Sequence, residues 1–424
     1  MQVYLVGGAV RDALLGLSVR ERDYVVVGGN AEELLAAGYK AVGKDFPVFL
    51  HPQNHSEHAL ARRERKTGPG YRGFVTEFSP DITLEEDLLR RDLTINAIAQ
   101  NPDGSLVDPY GGVKDLEARV LRHVSPAFSE DPVRILRVAR FAARFASLGF
   151  TVHESTLGLM RQMVAAGEVK ALVSERVWQE TERALGESRP EVFFEVLRDC
   201  GALAVIFPEV DRLFGVPQTP QWHPEIDTGV HVMLCLKRAA ELNAPTTVRF
   251  AVLAHDLGKG ATPPAEWPKH IMHESRGLPL VGALCSRLKV PVAHKELARM
   301  NCKQHTNVHR ALELRPETML KLMEECDAFR RPERFREMLL ACQCDAQGRT
   351  GMEAKPYPQR TYLEGMLAAA SGVALTPETM KDLSGPAIAE ALRAQRLDAI
   401  KALAAPRPAG PGADPARDSQ TDSR

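Results

Sequence analysis

Aromatic residues are scarce, at 6% of 424 residues, and no run of about 18 apolar residues occurs, so no membrane-spanning helix is expected. The start, MQVYLVGGAVRD, has no basic segment leading into a long apolar stretch, and no signal peptide is expected either. An excess of one charge is also missing: 54 Lys and Arg stand against 55 Asp and Glu, for a net charge of −1. That balance excludes a basic nucleic-acid coat and an acidic tail protein, so any nucleic-acid binding must rest on local positive charge. Cysteine pairs are absent too. Cys200, Cys235, Cys285, Cys302, Cys326, Cys342 and Cys344 form no CxxC and are odd in number. This argues against a disulfide framework or a zinc ribbon and predicts reduced, buried thiols in a cytosolic protein.

What is present is length enough for two to four domains and a 44% hydrophobic fraction that can fill real cores. To about residue 140, short β-type runs alternate with helical patterns. The strand candidates are QVYLV (2–6), DYVVV (23–27), FPVFLH (46–51) and HALARRE (58–64), and ITLEEDLLRRDLTINAIAQ (82–100) reads as a helix, a turn, and a second helix or strand. From about 130 the apolar residues recur at steps of three and four, which predicts helices. Pro- and Gly-rich punctuation at 207–224 and 258–268 marks a boundary and a loop. The last residues, from about 405, lack large apolar side chains and are expected to be disordered. No internal repeat occurs.

LVGGAVRDALLG (5–16) reads as a strand, two glycines and a helix start carrying Arg11 and Asp12. Gly7 and Gly8 would let backbone approach a phosphate, and Arg11 would add a fixed cation. The spacing matches neither GxGxxG nor GxxxxGK[ST], so the usual dinucleotide and P-loop readings fail. Just downstream, ERDYVVV (21–27) puts two acids, Glu21 and Asp23, at the head of an apolar strand. Residues two apart in a strand share a face, and two carboxylates side by side repel unless a cation sits between them. Mg2+ suits a few carboxylates plus substrate phosphates. An isolated acid-x-acid more often marks a solvated strand entry; the glycine loop upstream tips the balance toward a cation site. On 129–145, Arg134, Arg137, Arg140 and Arg144 recur on one stripe, which must meet solvent or anions.

GGAVRDALLG followed by an acid-x-Asp strand resembles the nucleotidyltransferase superfamily. More narrowly, it resembles the class II tRNA nucleotidyltransferases, the CCA-adding enzymes, and their relatives the bacterial poly(A) polymerases. The family's other motifs follow in order: LARRE (60–64), RRDLTINA (90–97), DPYGGVKDL (108–116) and EDPVRILRVARF (130–141). The resemblance implies an α+β chain whose N-terminal head, a mixed β-sheet with helices, precedes all-α neck, body and HD regions. It implies Glu21, Asp23 and Glu64 as catalytic carboxylates, with Mg2+ held by Glu21 and Asp23. It implies ATP and CTP binding by Gly8, Arg11, Arg91, Asp92, Asp131, Arg134, Arg137 and Arg140. Glu130, Asp131 and Arg134 would imitate a base edge, and the stretch 62–74 would be a flexible loop. The family has Asp at both metal positions, whereas this chain has Glu21 at the first. Glu is one methylene longer, and octahedral Mg2+ tolerates misplaced ligands poorly, so metal binding with weakened activity is expected.

In the second half, AVLAHDLGKG (251–260) carries His255 and Asp256, with His231 upstream and Asp345 downstream. Spread ligands of this type resemble the HD phosphohydrolase domain. The resemblance implies metal ligands His231, His255, Asp256 and Asp345, with His273 and His305 as candidates for a second metal. Thr306 follows His305 where an acid would be expected, and KHIMHESRG (269–277) has few histidines. The implied activities are 2′,3′-cyclic phosphodiesterase, 2′-nucleotidase and phosphatase, with a divalent metal for which Ni2+ is a candidate. An HD domain behind a class II head is the arrangement of the multifunctional CCA-adding proteins. The expected division is a head at 1–140, a neck and body for nucleotide selection and tRNA binding at 141–227, an HD domain at 228–330, a helical region completing that site at 331–404, and a disordered tail at 405–424. The implied partners are tRNA, CTP and ATP, with no membrane, in a cytoplasmic monomer or homodimer. Two other readings stand beside it: a poly(A) polymerase, and an HD phosphohydrolase whose head is a degenerate RNA-binding module, which only Glu21 favours.

Overall fold

The computed structural model describes residues 1–19, 21–42, 48–66, 74–381 and 383–404, without the side chains of 64–66, 74, 75 and 379. The tail expected at 405–424 and most of the expected flexible loop lie outside them. The chain divides into two compact units. The first comprises Met1–Lys303 with Ala341–Lys355, and the second Gln304–Leu340 with the chain from Pro356 onward.

The N-terminal part of the first unit is built on a seven-stranded sheet in the order β3-β4-β5-β2-β1-β8-β9. Its strands are β1 (Gln2–Val6), β2 (Asp23–Val27), β3 (Lys40–Val42), β4 (Val48–Leu50), β5 (Glu57–Leu60), β8 (Ala99–Gln100) and β9 (Leu106–Val107); β6 (Arg62–Lys66) and β7 (Phe74–Phe78) form a separate hairpin. β2 pairs parallel to β5, and the other neighbours are antiparallel. The alternation of strand side chains puts Val25 in one core cluster, with Val6, Ile82, Leu84 and Leu88. Its neighbour Val26 falls in another cluster, with Leu34, Phe49 and Leu60. Both faces are covered, which is why β2 reads as an unbroken apolar run rather than an alternating one. The expected strand HALARRE is two strands. Beyond Leu60 the buried Ala61 donates its N–H to Val26 O at 2.8 Å, and the chain then leaves the sheet for the β6–β7 hairpin.

The head's helices are α1 (Gly8–Leu14), α2 (Ala31–Ala36), α3 (Leu84–Leu89) and α4 (Gly112–Ala118). Capping boxes start two of them, Asn30 with Glu33 and Thr83 with Glu86, each satisfying backbone N–H groups that lack an intrahelical acceptor. Then come α5 (Val133–Phe145), α6 (Glu154–Ala165), α7 (Ser174–Leu185), α8 (Pro190–Asp199), α9 (Ala202–Ile206), α10 (Pro208–Asp211), α11 (Thr228–Glu241), α12 (Thr246–Ala254), α13 (His273–Arg287) and α14 (Val292–His309). α5 packs on α7 and α8. Its small buried residues Ala139, Ala142 and Ala143 admit those neighbours, and Phe193 and Phe194 of α8 are fully buried. Burying each such phenylalanine stabilises by about 1.5–3 kcal/mol.

The second unit is helical: α15 (Pro316–Glu325), α17 (Pro358–Ser371), α18 (Pro377–Met380) and α19 (Gly385–Leu403), with the end of α14 and most of α16 (Pro332–Gln347). α19 packs on α15 and α17, burying Met319, Met323, Met366 and Ile400. The mixed sheet and helical remainder together make the α+β architecture expected from the sequence. All seven cysteines are buried and free of disulfides.

Candidate active site

β1 ends at Val6, and the turn into α1 passes through Gly7 at φ +67°. A Cβ on Gly7 would stand 2.8 Å from Arg91 Nη1, the movable end of a side chain, so it is the left-handed backbone conformation that calls for glycine there. This turn floors an open cleft of about 500 Å3 lined by nine arginines and three aspartates. Gly8, Arg11, Asp23, Arg91, Asp92, Asp131, Arg134, Arg137 and Arg140 are all among its lining residues. Eight of these nine were singled out as nucleotide ligands, and Asp23 as a metal ligand.

β2 begins at Asp23, so strand alternation fixes the face of Asp23, shared with Val25, but does not reach Glu21, two residues earlier. The two acids are nevertheless coupled. Partial enclosure pushes the Asp23 carboxyl above its usual range, the charge of Glu21 adds to this, and Arg91 opposes it. A carboxylate whose proton affinity is raised by a neighbouring acid calls for a counter-cation, and an oxygen-ligated divalent ion fits this donor set. Glu64 is the third residue of β6, opposite Thr76 of β7; its side chain lies outside the described residues.

The arginine stripe of α5 is met by the protein's own acceptors, although Arg137 and Arg144 keep part of their side chains open to solvent. Arg137 Nε donates to Asp92 Oδ2 at 2.7 Å, Arg140 Nε to Glu180 Oε2 at 2.6 Å, and Arg144 Nη2 to Asp12 Oδ2 at 2.8 Å. Arg134 donates to Ala127 O at 2.8 Å and Arg90 O at 2.6 Å. Burial alone would raise Asp92; Arg137, Asn96 and Arg134 outweigh it and hold the carboxyl well below the usual range. Arg11 is buried between the rings of Phe141 and Phe145, 5.1 Å from each centroid, and donates to Asp12 and Asn96. Asp131 precedes α5 in extended backbone, with Oδ1 accepting from Val133 N at 3.0 Å. Arg176 of α7 donates to Asp131 Oδ2 at 3.0 Å. Arg176 was missed in the sequence; it sits 45 residues from Asp131, and no local pattern marks it.

The histidine–aspartate residues also come together, at the ends of α11 and α12 and on α16. His231, His255, Asp256 and Asp345 are all buried. His231 Nε2 is 3.1 Å from Asp345 Oδ1, His255 Nε2 is 3.1 Å from Asp256 Oδ2 and 3.6 Å from Asp345 Oδ2. Ligand atoms of His231, His255 and Asp256 lie within 4.8 Å of one another, as do those of His231, Cys235 and Asp345. A buried set mixing imidazole and carboxylate fits a divalent transition metal. His273 Nε2 is 3.5 Å from Asp256 Oδ1, and His305 lies on α14 in the second unit. Three further groups were missed. Glu225 Oε1 is 2.8 Å from His231 Nδ1, Lys259 Nζ is 2.7 Å from Asp256 Oδ2, and Arg349 Nη2 is 3.4 Å from Asp345 Oδ1. Lys259 and Arg349 were legible in principle, at i+3 from Asp256 and i+4 from Asp345.

An arginine-rich cleft floored by a glycine turn, with an acid at the head of the adjoining strand, defines a nucleotidyltransferase head. A family model described as the poly A polymerase head domain matches residues 3–122, and one described as the probable RNA and SrmB-binding site of polymerase A matches 149–214. A multifunctional CCA protein of Thioalkalivibrio sulfidiphilus is 64% identical over 405 residues, covering 96% of this chain and 99% of that protein. One of Hahella chejuensis is 59% identical over 401 residues, covering 95% of each. The chain belongs to the multifunctional CCA protein family, within the class II CCA-adding enzymes. Among solved structures, a Bacillus stearothermophilus CCA-adding enzyme in complex with CTP aligns with a TM-score of 0.62 at 22% identity, covering 94% of this chain and 89% of that one. A Thermotoga maritima CCA-adding enzyme complexed with tRNA aligns at 0.58 and 20% identity, covering 95% and 90%. Both likenesses are likenesses of fold.

Proposed function

We propose that this chain adds and repairs the 3′-terminal CCA of tRNA without a nucleic-acid template, using CTP and ATP and releasing pyrophosphate. The observation that carries this reading is the cleft itself: nine arginines for a triphosphate, with Asp23 at the head of β2 among its lining residues. The names of its relatives point the same way. In the reaction the tRNA 3′-oxygen bonds to the α-phosphorus, the bond to the β-phosphate oxygen breaks, and the hydroxyl proton is lost to solvent. Bound by Glu21 and Asp23, with Glu64 as third carboxylate, Mg2+ would neutralise charge on the attacking and leaving oxygens. The chain's own residues do the positioning. Arg11, Arg91, Arg137 and Arg140 frame the phosphates with guanidinium groups already fixed by carboxylates and rings, so little ordering remains when the nucleotide binds. Asp92 holds Arg137 in place, and Asp131 and Arg134, with Glu130 beside them, present the donors and acceptors that choose C or A. The region 141–227 would carry the tRNA backbone, behind the head at 1–140.

The buried cluster supports a second, metal-dependent phosphohydrolase activity on 2′,3′-cyclic phosphates, 2′-nucleotides and phosphomonoesters. His231, His255, Asp256 and Asp345 would hold the metal, with His273 as a candidate ligand of a second. A bound divalent ion, Ni2+ being a candidate, would polarise the phosphate and acidify water. In this reading 228–330 and 331–404 serve that site, and the protein works in the cytoplasm as a monomer or homodimer. No described helix is long and apolar enough to cross a membrane. The test incubates tRNA lacking its CCA with CTP and ATP, with and without EDTA, and sequences the 3′ ends. Restored CCA that EDTA and Asp23→Ala abolish is expected. Oligo(A) ends would make it a poly(A) polymerase, and no incorporation would leave the head a degenerate RNA-binding module.

A further inference from the structure

The segment Pro217–Asp227 is closed at its base by a bridge between those two residues and by Gln218 N donating to Ile226 O at 2.7 Å. It is then pinned over the buried cluster at three points. Gln218 Oε1 accepts from Lys259 Nζ at 2.6 Å, and Lys259 in turn holds Asp256. Trp222 O accepts from Arg349 Nη1 at 3.3 Å, and the other end of that guanidinium is 3.4 Å from Asp345. Glu225 binds His231 at 2.8 Å and His223 at 3.2 Å. Each pin therefore ends on a residue that touches the cluster. Yet the Trp222 side chain faces water: the residue is 60% exposed. The adjoining segment is joined to this one by Thr219 Oγ1 donating to Pro268 O and by His270 Nε2 against Pro217 O at 2.8 Å; it carries Ile271 and Met272, 62% and 63% exposed. The pins hold the loop's backbone beside the cluster, and an exposed indole carried on a held loop beside a phosphate-type site can serve as a stacking platform.

We propose that Trp222 is the base-binding residue of the buried cluster. It would stack the base of a nucleoside phosphate whose phosphate group reaches His231, His255, Asp256 and Asp345, with Arg349 and Lys259 supplying positive charge between them. Among the substrates of that reading, nucleoside 2′,3′-cyclic phosphates and 2′-phosphates would gain from the stacking and phosphomonoesters without a base would not, with weak preference among bases because every base has a π-face. This rests on the phosphohydrolase reading above.

The test uses the full chain loaded with Ni2+ or Mn2+, with CTP incorporation by the head as the folding control. Wild type, Trp222→Ala and Trp222→Phe are compared on 2′,3′-cyclic AMP and on glycerol 2-phosphate. For Trp222→Ala we expect KM for the cyclic nucleotide to rise about tenfold. The preference over glycerol 2-phosphate should collapse by a similar factor, with kcat little changed and Trp222→Phe recovering part of the loss. Independently of turnover, 2′,3′-cyclic AMP should quench indole fluorescence in wild type and not in Trp222→Phe. If wild type hydrolyses the cyclic nucleotide and Trp222→Ala leaves its KM unchanged, the platform is refuted and the phosphohydrolase stands. If wild type hydrolyses nothing, the phosphohydrolase reading fails, and the quenching result alone decides Trp222. A dimer that Trp222→Ala dissociates, with KM and quenching unaltered, would give the rim to a second copy of the chain and overturn the proposal.

Discussion

Replacing Glu180 by alanine should destabilise the first unit through one buried ion pair. Arg140 Nε donates to Glu180 Oε2 at 2.6 Å across the α5–α7 packing, with side chains only 9% and 6% exposed. Removing one partner of such a pair leaves a buried charge uncompensated and costs about 3–5 kcal/mol. Glu187 Oε1, 3.7 Å from Arg140 Nη1, can take over part of the interaction, which favours the low end, about 3 kcal/mol. For a unit of this size that is a fall in midpoint of about 4–5 °C. Calorimetry of the whole chain reads it, with hydrogen exchange on α5 showing that the loss is local, since a chain of two units need not unfold in one step. Replacing both partners, Arg140→Met with Glu180→Leu, should recover most of the loss, because an apolar pair of similar volume needs no desolvation of charge. A midpoint for Glu180→Ala within about 1 °C of wild type would refute the argument and return Arg140 to the cleft as an unburdened nucleotide ligand.

Asp92 is held below its unfolded range, so its contribution to stability is full above the unfolded carboxylate pKa of about 4 and disappears as pH falls toward the folded value. The midpoint difference between wild type and Asp92→Asn, measured by thermal denaturation, should therefore shrink between pH 6 and pH 3; a difference that grows would reverse the sign. Burial pushes Cys200 and Cys285 up to about 11 and Cys302 up to about 12, and all seven thiols are buried. Native protein at pH 8 should react with a disulfide reagent only slowly, and seven thiols should titrate on denaturation. Arg176→Ala removes the guanidinium that binds Asp131 and should change the ratio of kcat/KM for CTP and ATP by about fivefold, the equivalent of about 1 kcal/mol in one charge-assisted hydrogen bond. Glu21→Asp should retain or raise turnover by shortening the ligand arm, and a large drop would show that the longer side chain is the fitted one.

The strands QVYLV and DYVVV were legible residue for residue, because β1 and β2 are apolar runs bounded by turn signals and both faces of the sheet are covered. The glycine turn, the arginine period on α5 and the His255–Asp256 step were equally open to reading, since backbone conformation and helical spacing are local properties. HALARRE was read as one strand because its break at Ala61 depends on a partner strand elsewhere and leaves no mark in composition. What only the folded chain decided is which charge meets which. Arg140 finds Glu180 across 40 residues, Arg144 finds Asp12 across 132, and His231 finds Asp345 across 114. Periodicity states which face of a helix a side chain occupies but nothing about what packs against that face. Hence the sequence determined the kinds of groups at each site, and the tertiary structure determined how many arginines are already bound to carboxylates and how a single loop carries Trp222 to the rim of a buried cluster.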